Sequence, residues 1–429
     1  MEASKSLSVQ RCMFELSRAK DPSDAALGWL QLRGEFPELK GIVALDEYDQ
    51  SVLPASIKKY LHPTDGCLVS YFSNQSLYFL EDQLLFDMFT RPGHKFGVDY
   101  TIMFDTNIAT YIDAMVRGES LGNVHSKVVP LIDDLLRDDL NFDHLYYMME
   151  NVKIVHRQVN KSPSSSLLFW RSLHKDFRRN LVSLELFRSI NTKDYKRTLN
   201  PIPAFSYWEA ARGAVRNTYD FYVGQQSVHA FVTLQRLILL QLIGMVRIQL
   251  SSAKGPRKKM ADYFEYVHNV VGVYFDRETI IAHRYFADRR SVGIFEKIKL
   301  GVRPKQLLKR LDNIAWDMAA PRFMEQVIAY GSDAKYFVPF FLTLDANLRE
   351  LLRFYRVKGA VYSKEIGFFA PIAEINTTDY FHSVNCGRSF DRVQNDDAKR
   401  ERASRPKHDR QSLHSLIKRE YSLLRALFD

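Results

Sequence analysis

Residues 100–118 read YTIMFDTNIATYIDAMVRG, and this stretch predicts a β-strand that turns directly into a helix. The apolar run at residues 100–104 has the length and composition of a buried strand. A Thr-Asn pair follows Asp105 and is typical of a helix start, and Gly118 is typical of a helix end. Asp105 is therefore expected at the carboxyl end of the strand, where open α/β sheets collect their ligands.

Residues 339–359 read PFFLTLDANLRELLRFYRVKG and repeat this arrangement. A strand runs into Asp345, a helix follows, and Gly359 ends it. Pro339 cannot donate a hydrogen bond, which predicts an early or edge position in the strand. Strand–helix units of this type build parallel sheets with helical crossovers. The two aspartates are therefore expected at the same edge of one sheet.

Two explanations of these aspartates remain open at this point. Either residue alone is well explained as the N-cap of the helix that follows it. If the two strands are neighbours, however, the carboxylates of Asp105 and Asp345 converge and repel one another unless a cation holds them. Hard divalent cations such as Mg²⁺ or Mn²⁺ prefer oxygen ligands of this kind. The repetition of the pattern favours the metal site.

Composition limits the classes of protein to consider. The chain has 429 residues, 46% of them apolar, which suffices for two domains or for one domain with large insertions. Its three cysteines are widely spaced, which argues against a disulfide framework and favours a cytoplasmic protein. The most apolar stretch, residues 230–250, is interrupted by Gln and Arg and predicts a buried helix, so we expect no membrane partner. The net charge of +10 permits an anionic partner.

Two short motifs resemble the PIN-like domain family. The string FDTN at residues 104–107 resembles the family's opening motif, and LTLDANLRELLR at residues 342–353 resembles its closing one, followed by VKGAVYS as a final short strand. The resemblance implies an α/β fold whose PIN-like core has a small central parallel sheet flanked by helices. It also implies a metal-dependent nuclease that acts on RNA more often than on DNA, with Mg²⁺ or Mn²⁺ as cofactor.

The resemblance further implies acids on the helices between the two motifs. RETIIAHRYF at residues 277–286 resembles the helix that carries the family's glutamate, which would be Glu278. Without the family pattern, Glu278 is simply a first-turn glutamate favoured by the helix dipole. The last acid would be Asp317, which lies in the apolar stretch IAWDMAA, with Asp312 as the alternative. Asp105, Glu278, Asp317 and Asp345 would then form the catalytic metal site.

The resemblance covers only part of the chain, and it divides the chain into five segments. These are a mixed α/β region at 1–97, the first part of the PIN-like core at 98–120, a large, mostly helical insertion at 121–269, the second part of the core at 270–365, and a charged arm with a last helix at 366–429. The polar stretch at 395–410 is expected to be an exposed linker. The insertion is expected to control substrate access or to bind a regulatory protein.

The expected substrate is nucleic acid, and basic residues are expected to neutralise its phosphates. Candidates for these contacts are Asn107, Arg284, Arg257, Lys258 and Lys259, although an ordinary solvated surface explains each basic cluster equally well. Standalone nucleases of this family are often toxins or phage-defence effectors. The alternative function is a non-catalytic module that binds nucleic acid or protein on a degenerate PIN-like core.

Overall fold

The structure, a computed structural model, describes residues 2–32, 35–48, 52–62, 66–91, 95–159, 165–223, 226–298, 304–331, 334–406 and 408–428. The described chain is mixed α/β, with two small sheets flanked by helices, which confirms the predicted class. It divides into two compact units. Unit 1 comprises Met1–His229, Phe323–Asp345 and Lys358–Ile372, and unit 2 comprises Ala230–Arg322, Ala346–Val357 and Ala373–Asp429.

Unit 1 contains the two sheets and the helices of the first half of the chain. The strands are β1 (Lys40–Ala44), β2 (Leu68–Ser70), β3 (Leu77–Leu80), β4 (Val98–Phe104), β5 (Phe142–Asp143), β6 (Tyr336–Leu342), β7 (Val357–Ser363) and β8 (Phe368–Ala373). The helices are α1 (Glu2–Arg18), α2 (Pro22–Trp29), α3 (Ala55–Lys58), α4 (Asp82–Thr90), α5 (Thr106–Val116), α6 (His125–Arg137), α7 (Leu145–Val159), α8 (Ser166–Ser172), α9 (Lys175–Arg188), α10 (Thr192–Thr198) and α11 (Tyr207–Val223).

Unit 2 is built from helices, two of which have one end within the residue ranges of unit 1. They are α12 (Gln226–Ser251), α13 (Pro256–Tyr266), α14 (Asp276–Ala287), α15 (Pro304–Tyr330), α16 (Ala346–Arg353), α17 (Thr377–Ser383), α18 (Gly387–Gln394), α19 (Asp396–Ser404) and α20 (Arg410–Arg425). A π-helical turn, Val267–Val271, continues α13. Within the described chain, only Ser227–Ser251 of α12 is long and apolar enough to cross a membrane. Of its apolar window, 67% is buried, as is typical of a core helix.

The sheet that positions the candidate site has the strand order β2-β6-β4-β5. Strand β4 runs parallel to both β5 and β6, and β2 is antiparallel to β6. All seven residues of β6 are buried, which explains its unbroken apolar sequence. Phe104 at the end of β4 pairs with Leu342 at the end of β6. The prediction that the two aspartate-ending strands are parallel strands of one sheet is therefore confirmed, and the structure also makes them direct neighbours.

The other sheet has the order β3-β1-β7-β8, and β1 is antiparallel to both of its neighbours. Its core includes Trp29 of α2, which packs with Val43 and Val361 and donates its indole N–H to Oδ1 of Asp82 at 3.0 Å. The strand VKGAVYS, expected as the last strand of the sheet that carries Asp105, is β7 of this second sheet. Its predicted extended conformation is confirmed, but it does not belong to the sheet that carries Asp105, as the resemblance had implied.

Pro339 was expected early in its strand or at an edge. It is the fourth residue of β6, which lies inside its sheet, but β2 pairs only with residues 340–342. On that side Pro339 has no strand partner among the described residues, so its missing donor is tolerated. Pro321 lies inside α15, which continues past it as one helix.

The charged segment 395–410 was expected to be an exposed linker. Most of its described residues are indeed exposed, but residues 396–404 form the helix α19, so the expectation of a linker was wrong. Asn395 caps α19 by accepting a hydrogen bond from the Ala398 amide at 2.8 Å. The Arg405 guanidinium donates to the main-chain carbonyl of His268. These contacts attach the segment to the π-helical turn within unit 2.

Candidate functional site

Asp105 occupies the junction between β4 and α5, but it does not cap the helix. Its backbone is at the N-cap position, with φ −63° and ψ 156°, yet its side chain makes no capping hydrogen bond. Instead, Oδ2 of Asp105 accepts a hydrogen bond of 2.7 Å from the hydroxyl of Thr343. The residue is only 6% exposed. The capping explanation therefore fails for this carboxylate.

Thr343 connects the ends of the two parallel strands. Its hydroxyl donates to Asp105 and accepts a hydrogen bond of 3.1 Å from the backbone N–H of Asp345. Thr343 has no exposed surface, and Asp345 is partly buried. The predicted proximity of Asp105 and Asp345 follows from this shared hydroxyl and from the adjacent strand ends.

A third carboxylate, missed in the sequence, belongs to Glu150 on α7. Its Oε2 accepts a hydrogen bond from the Thr106 hydroxyl, and its Oε1 pairs with Nζ of Lys153 at 3.0 Å. Glu150 lies in a segment predicted to be helical, seven residues after Asp143, the last residue of β5. With only two residues, β5 gives no strand pattern. The sequence therefore did not reveal that α7 leaves this sheet at the same edge as α5.

These neighbours change the acidity of Asp105. Its pKa is raised to about 6, first by burial, then by the negative charge of Glu150 and, to a smaller extent, by that of Asp345. The hydrogen bonds from the Thr343 hydroxyl and the Thr106 amide oppose this rise in pKa. A buried carboxylate beside two others is unfavourable when ionised, and it is stabilised by a nearby cation.

Asp143 provides a contrast at the end of the neighbouring strand. Its Oδ1 accepts a hydrogen bond of 2.8 Å from the Leu145 amide at the start of α7, and its Oδ2 accepts one of 2.7 Å from the Thr101 hydroxyl. Because α7 begins at Leu145, Asp143 lies one residue before the N-cap and satisfies the first amide of the helix. Both aspartates thus follow a strand of this sheet, but the Asp143 carboxylate is bonded to Thr101 and α7, whereas Oδ2 of Asp105 is bonded to Thr343.

The donor set suits a hard divalent cation, although it is not assembled around one. Among the described residues, no three His, Cys, Asp or Glu side chains converge closely enough to hold a metal ion. The oxygens of Asp105, Glu150 and Asp345 are nevertheless the type that Mg²⁺ or Mn²⁺ binds. Their mutual repulsion, which contributes to the raised pKa of Asp105, is what such an ion would relieve.

The two other predicted acids belong to unit 2. Glu278 lies in the first turn of α14 with no exposed surface, and its Oε2 is 3.4 Å from a guanidinium nitrogen of Arg322. Asp317 is partly buried in the middle of α15. Its alternative, Asp312, accepts hydrogen bonds from Gln235 and Arg236. Within unit 1 the acids around Asp105 are Glu150 and Asp345, and the assignment of Glu278 and Asp317 stays a prediction.

The residues predicted to bind nucleic acid have different environments. Asn107 donates from Nδ2 to Oδ2 of Asp105 at 3.4 Å. Arg257 and Lys258 are exposed at the start of α13. Lys259 is buried, and its ammonium donates to Oε1 of Gln249 at 2.8 Å. Arg284 of α14 stacks on the ring of Phe354, 4.8 Å from its centroid.

Comparison of the chain with protein-family models, with curated proteins and with solved structures gives no match.

Proposed function

We propose that this chain is a metal-dependent nuclease of the PIN-like class, which hydrolyses phosphodiester bonds and prefers RNA. One observation carries the proposal. The two parallel strands β4 and β6 end in Asp105 and Asp345, and a buried threonine hydroxyl joins these ends while Asp105 makes no capping bond. The FDTN and LTLD motifs, which suggested this class in the sequence, lie at these two strand ends.

Three carboxylates of unit 1 would hold the metal, namely Asp105, Glu150 and Asp345. Bound Mg²⁺ or Mn²⁺ supplies a water of lowered pKa and stabilises negative charge on a phosphodiester. The raised pKa of Asp105 explains how this chain favours such binding, because an ionised carboxylate at this buried position lacks a balancing charge.

The remaining groups orient these carboxylates. The Thr343 hydroxyl fixes Oδ2 of Asp105, and the Thr106 hydroxyl fixes Oε2 of Glu150. In the metal-free protein Asp105 has a pKa of about 6, so its carboxyl is mostly ionised at neutral pH and is available to bind a metal. The side-chain amide of Asn107 lies beside the Asp105 carboxylate, where its N–H groups can also donate to a phosphate oxygen.

The test is cleavage of labelled RNA and DNA by the purified full chain with Mg²⁺, with Mn²⁺ or with EDTA. We expect metal-dependent cleavage of RNA that falls by a factor of about 100 or more in Asp105→Asn and in Asp345→Asn, as when a group that contacts the reacting atoms is removed. Asp143→Asn should retain activity because Oδ1 of Asp143 bonds the Leu145 amide, a contact that the side-chain oxygen of asparagine preserves. Cleavage that is unchanged in both site variants would reject the proposal.

The alternative, a non-catalytic binding module, predicts a different result in the same experiment. Nucleic acid would bind with strong salt dependence, and no product would form with either metal. Binding without cleavage at saturating Mn²⁺ would therefore establish the alternative.

A further inference from the structure

Unit 2 contains a cavity of ≈ 650 Å³ that the proposed nuclease site does not use. We call it the α19 cavity, and its walls come from α12, the π-helical turn, the end of α18 and α19. Its apolar wall includes Leu237, Val271, Val273 and Pro406. This volume is within the range of about 300–1,000 Å³ that is typical of small-molecule sites.

The charged residues that line the α19 cavity are all basic. They are Lys399, Arg402 and Arg405, with His408 beside them, and none of the described lining residues is Asp or Glu. Glu401 lies nearby but outside the lining. It pairs with Arg405 at 2.6 Å and with Nε2 of His268 at 3.2 Å. The cavity therefore presents an excess of positive charge to a ligand.

Arg402 is the central cation of this cavity. Its guanidinium donates to the Val393 carbonyl and to Oε1 of Gln394 at 3.2 Å, and it lies 3.1 Å from Nδ1 of His268. None of these partners is a carboxylate, and no carboxylate among the described residues forms an ion pair with Arg402. Burial and then the charge of Arg405 lower the pKa of its guanidinium, whereas the charge of Glu401 opposes this decrease. Among the described residues, the side chain is thus fixed in place without direct contact to a carboxylate.

Two further groups point to an anionic ligand. Gln394 lines the cavity and turns its carbonyl oxygen to Arg402, which leaves its Nε2 buried without an acceptor among the described residues. Lys399 is exposed at the cavity wall. Burial raises the pKa of Asp276, and a hydrogen bond from Thr377 and the charges of Arg322 and Lys399 oppose that rise, but no ion pair joins Lys399 to an acid among the described residues.

A purely structural role explains only some of these cations. The Arg405 guanidinium and Nε2 of His408 contact the carbonyls of His268 and Val271, within the π-helical turn. Cations are favourable at a helix carboxyl terminus. Neither Lys399 nor the charge of Arg402 is needed for that role, and π-helical turns often occur at functional sites.

We propose that the α19 cavity binds a small phosphate monoester with an aromatic body, of the mononucleotide class. The guanidinium of Arg402 and the ammonium of Lys399 contact the phosphate, since arginine suits paired contacts to phosphate oxygens. The base lies against the apolar wall, where Tyr274 offers an aromatic ring. The residues of this site all belong to unit 2, whereas those of the proposed nuclease centre belong to unit 1.

The test is isothermal titration calorimetry of the full chain in EDTA with AMP, GMP, CMP and UMP, with the matching nucleosides, and with inorganic phosphate. We expect at least one mononucleotide to bind about tenfold or more tightly than its nucleoside and than phosphate, because charge-assisted contacts and burial of the base both contribute. If every mononucleotide binds no better than its nucleoside, or no better than inorganic phosphate, the proposal is overturned.

Variants of α19 connect any binding to this cavity. Lys399→Ala should raise the dissociation constant about tenfold, as expected for the loss of one charged contact. Arg400→Ala is the matched control, since Arg400 is the next residue, its side chain is 80% exposed, and it pairs with Asp397. Asp105→Asn should bind normally. Equal weakening by Lys399→Ala and Arg400→Ala, or loss of binding in Asp105→Asn, would overturn the assignment to this cavity.

Discussion

The hydroxyl of Thr343 donates a hydrogen bond of 2.7 Å to Oδ2 of Asp105, a residue 238 positions earlier in the chain. Strands β4 and β6 are parallel neighbours, and this contact forms where both of them end. It holds Oδ2 of Asp105 at the adjacent strand end, whereas the side chain of an N-cap would bond the second or third amide of α5. The proposed nuclease site depends on this contact.

Removal of the Thr343 hydroxyl should change the acidity of Asp105. In Thr343→Val the hydrogen bond that lowers the pKa of Asp105 is lost, so that pKa should rise. A hydrogen bond to a charged group contributes about 1.5–3 kcal/mol, so the acid limb of the pH–rate profile should move up by about one unit or more. The measurement is the cleavage rate between about pH 5 and about pH 9, a range that covers the titration of a carboxyl with a raised pKa.

Thr343→Ser is the matched control for that experiment. Serine keeps the hydroxyl and loses only a methyl group, so its acid limb should remain close to that of the wild type. The same acid limb in the valine and serine variants would mean that Thr343 does not set the acidity of the catalytic carboxyl.

Replacement of Asp105 should increase stability in the absence of metal. The pKa of Asp105 is about 6 in the folded protein against an ordinary value of 3.8, so the folded state binds more protons between these values. The free energy of unfolding should therefore decrease as pH rises from about 4 to about 6, and Asp105→Asn should lack this decrease. The advantage of the variant at neutral pH is at most about 3 kcal/mol, from the size of the shift.

Urea unfolding in EDTA at about pH 4.5 and at about pH 7 measures this difference. Asp409→Asn is the control, since the Ser412 amide lowers the pKa of Asp409 and confines its effect on stability to more acidic solutions. For that variant, the difference from the wild type should be the same at both pH values. A constant difference for Asp105→Asn as well would show that Asp105 is not destabilised by its surroundings.

Glu150 and Glu278 can be compared as candidates for the third carboxylate. Glu150→Gln removes the charge that, after burial, contributes most to raising the pKa of Asp105, so the acid limb should move down. Saturation by Mn²⁺ should also require about tenfold more metal, as is usual when a group at a metal site is altered. The measurement combines the pH–rate profile with a Mn²⁺ titration of cleavage.

Glu278→Gln should instead reduce stability. It removes the charge that faces the partly buried guanidinium of Arg322, and a hydrogen bond to a charged group contributes about 1.5–3 kcal/mol. Its pH–rate profile should match the wild type. If Glu278→Gln moves the acid limb and Glu150→Gln does not, the assignment made from the sequence is the better one.

The exposed cations of α13 should contribute to nucleic-acid affinity. Replacement of Arg257 and Lys258 by alanine should weaken RNA binding regardless of RNA sequence. It should also reduce the slope of log affinity against log salt concentration by about 1–2, one for each lost phosphate contact. Lys259→Ala should affect stability more than affinity, because its ammonium is bonded to Gln249. Fluorescence anisotropy at several salt concentrations measures this, and an unchanged slope in the double variant would exclude Arg257 and Lys258 from the interface.

The sequence predicted the local structure around Asp105 well because that structure depends on short-range signals. The apolar run before Asp105, the Thr-Asn pair after it and the stop at Gly118 correspond to β4, α5 and a glycine with φ +68°. The parallel pairing of β4 with β6 was also predicted, since a strand followed by a helix favours it.

Features that depend on contacts between distant parts of the sequence could not be predicted in this way. Glu150 was missed because its position depends on a two-residue strand, and β7 was placed in the wrong sheet because an apolar run does not specify its partner. The central position of β6 was not predicted from Pro339, because the rule for proline in strands does not consider how far the neighbouring strand extends. The docking of α19 was missed because charged residues resemble solvent-exposed ones until their partners are known.

Binding of Mn²⁺ to the full chain, followed by electron paramagnetic resonance, tests the central claim most directly, because it requires no substrate. We expect the wild type to bind Mn²⁺, Asp105→Asn to bind it at least about tenfold more weakly, as expected when a ligand is lost, and Asp143→Asn to bind it normally. Equal affinity of the wild type and Asp105→Asn would contradict the claim that the carboxylates at the ends of β4 and β6 form a metal site.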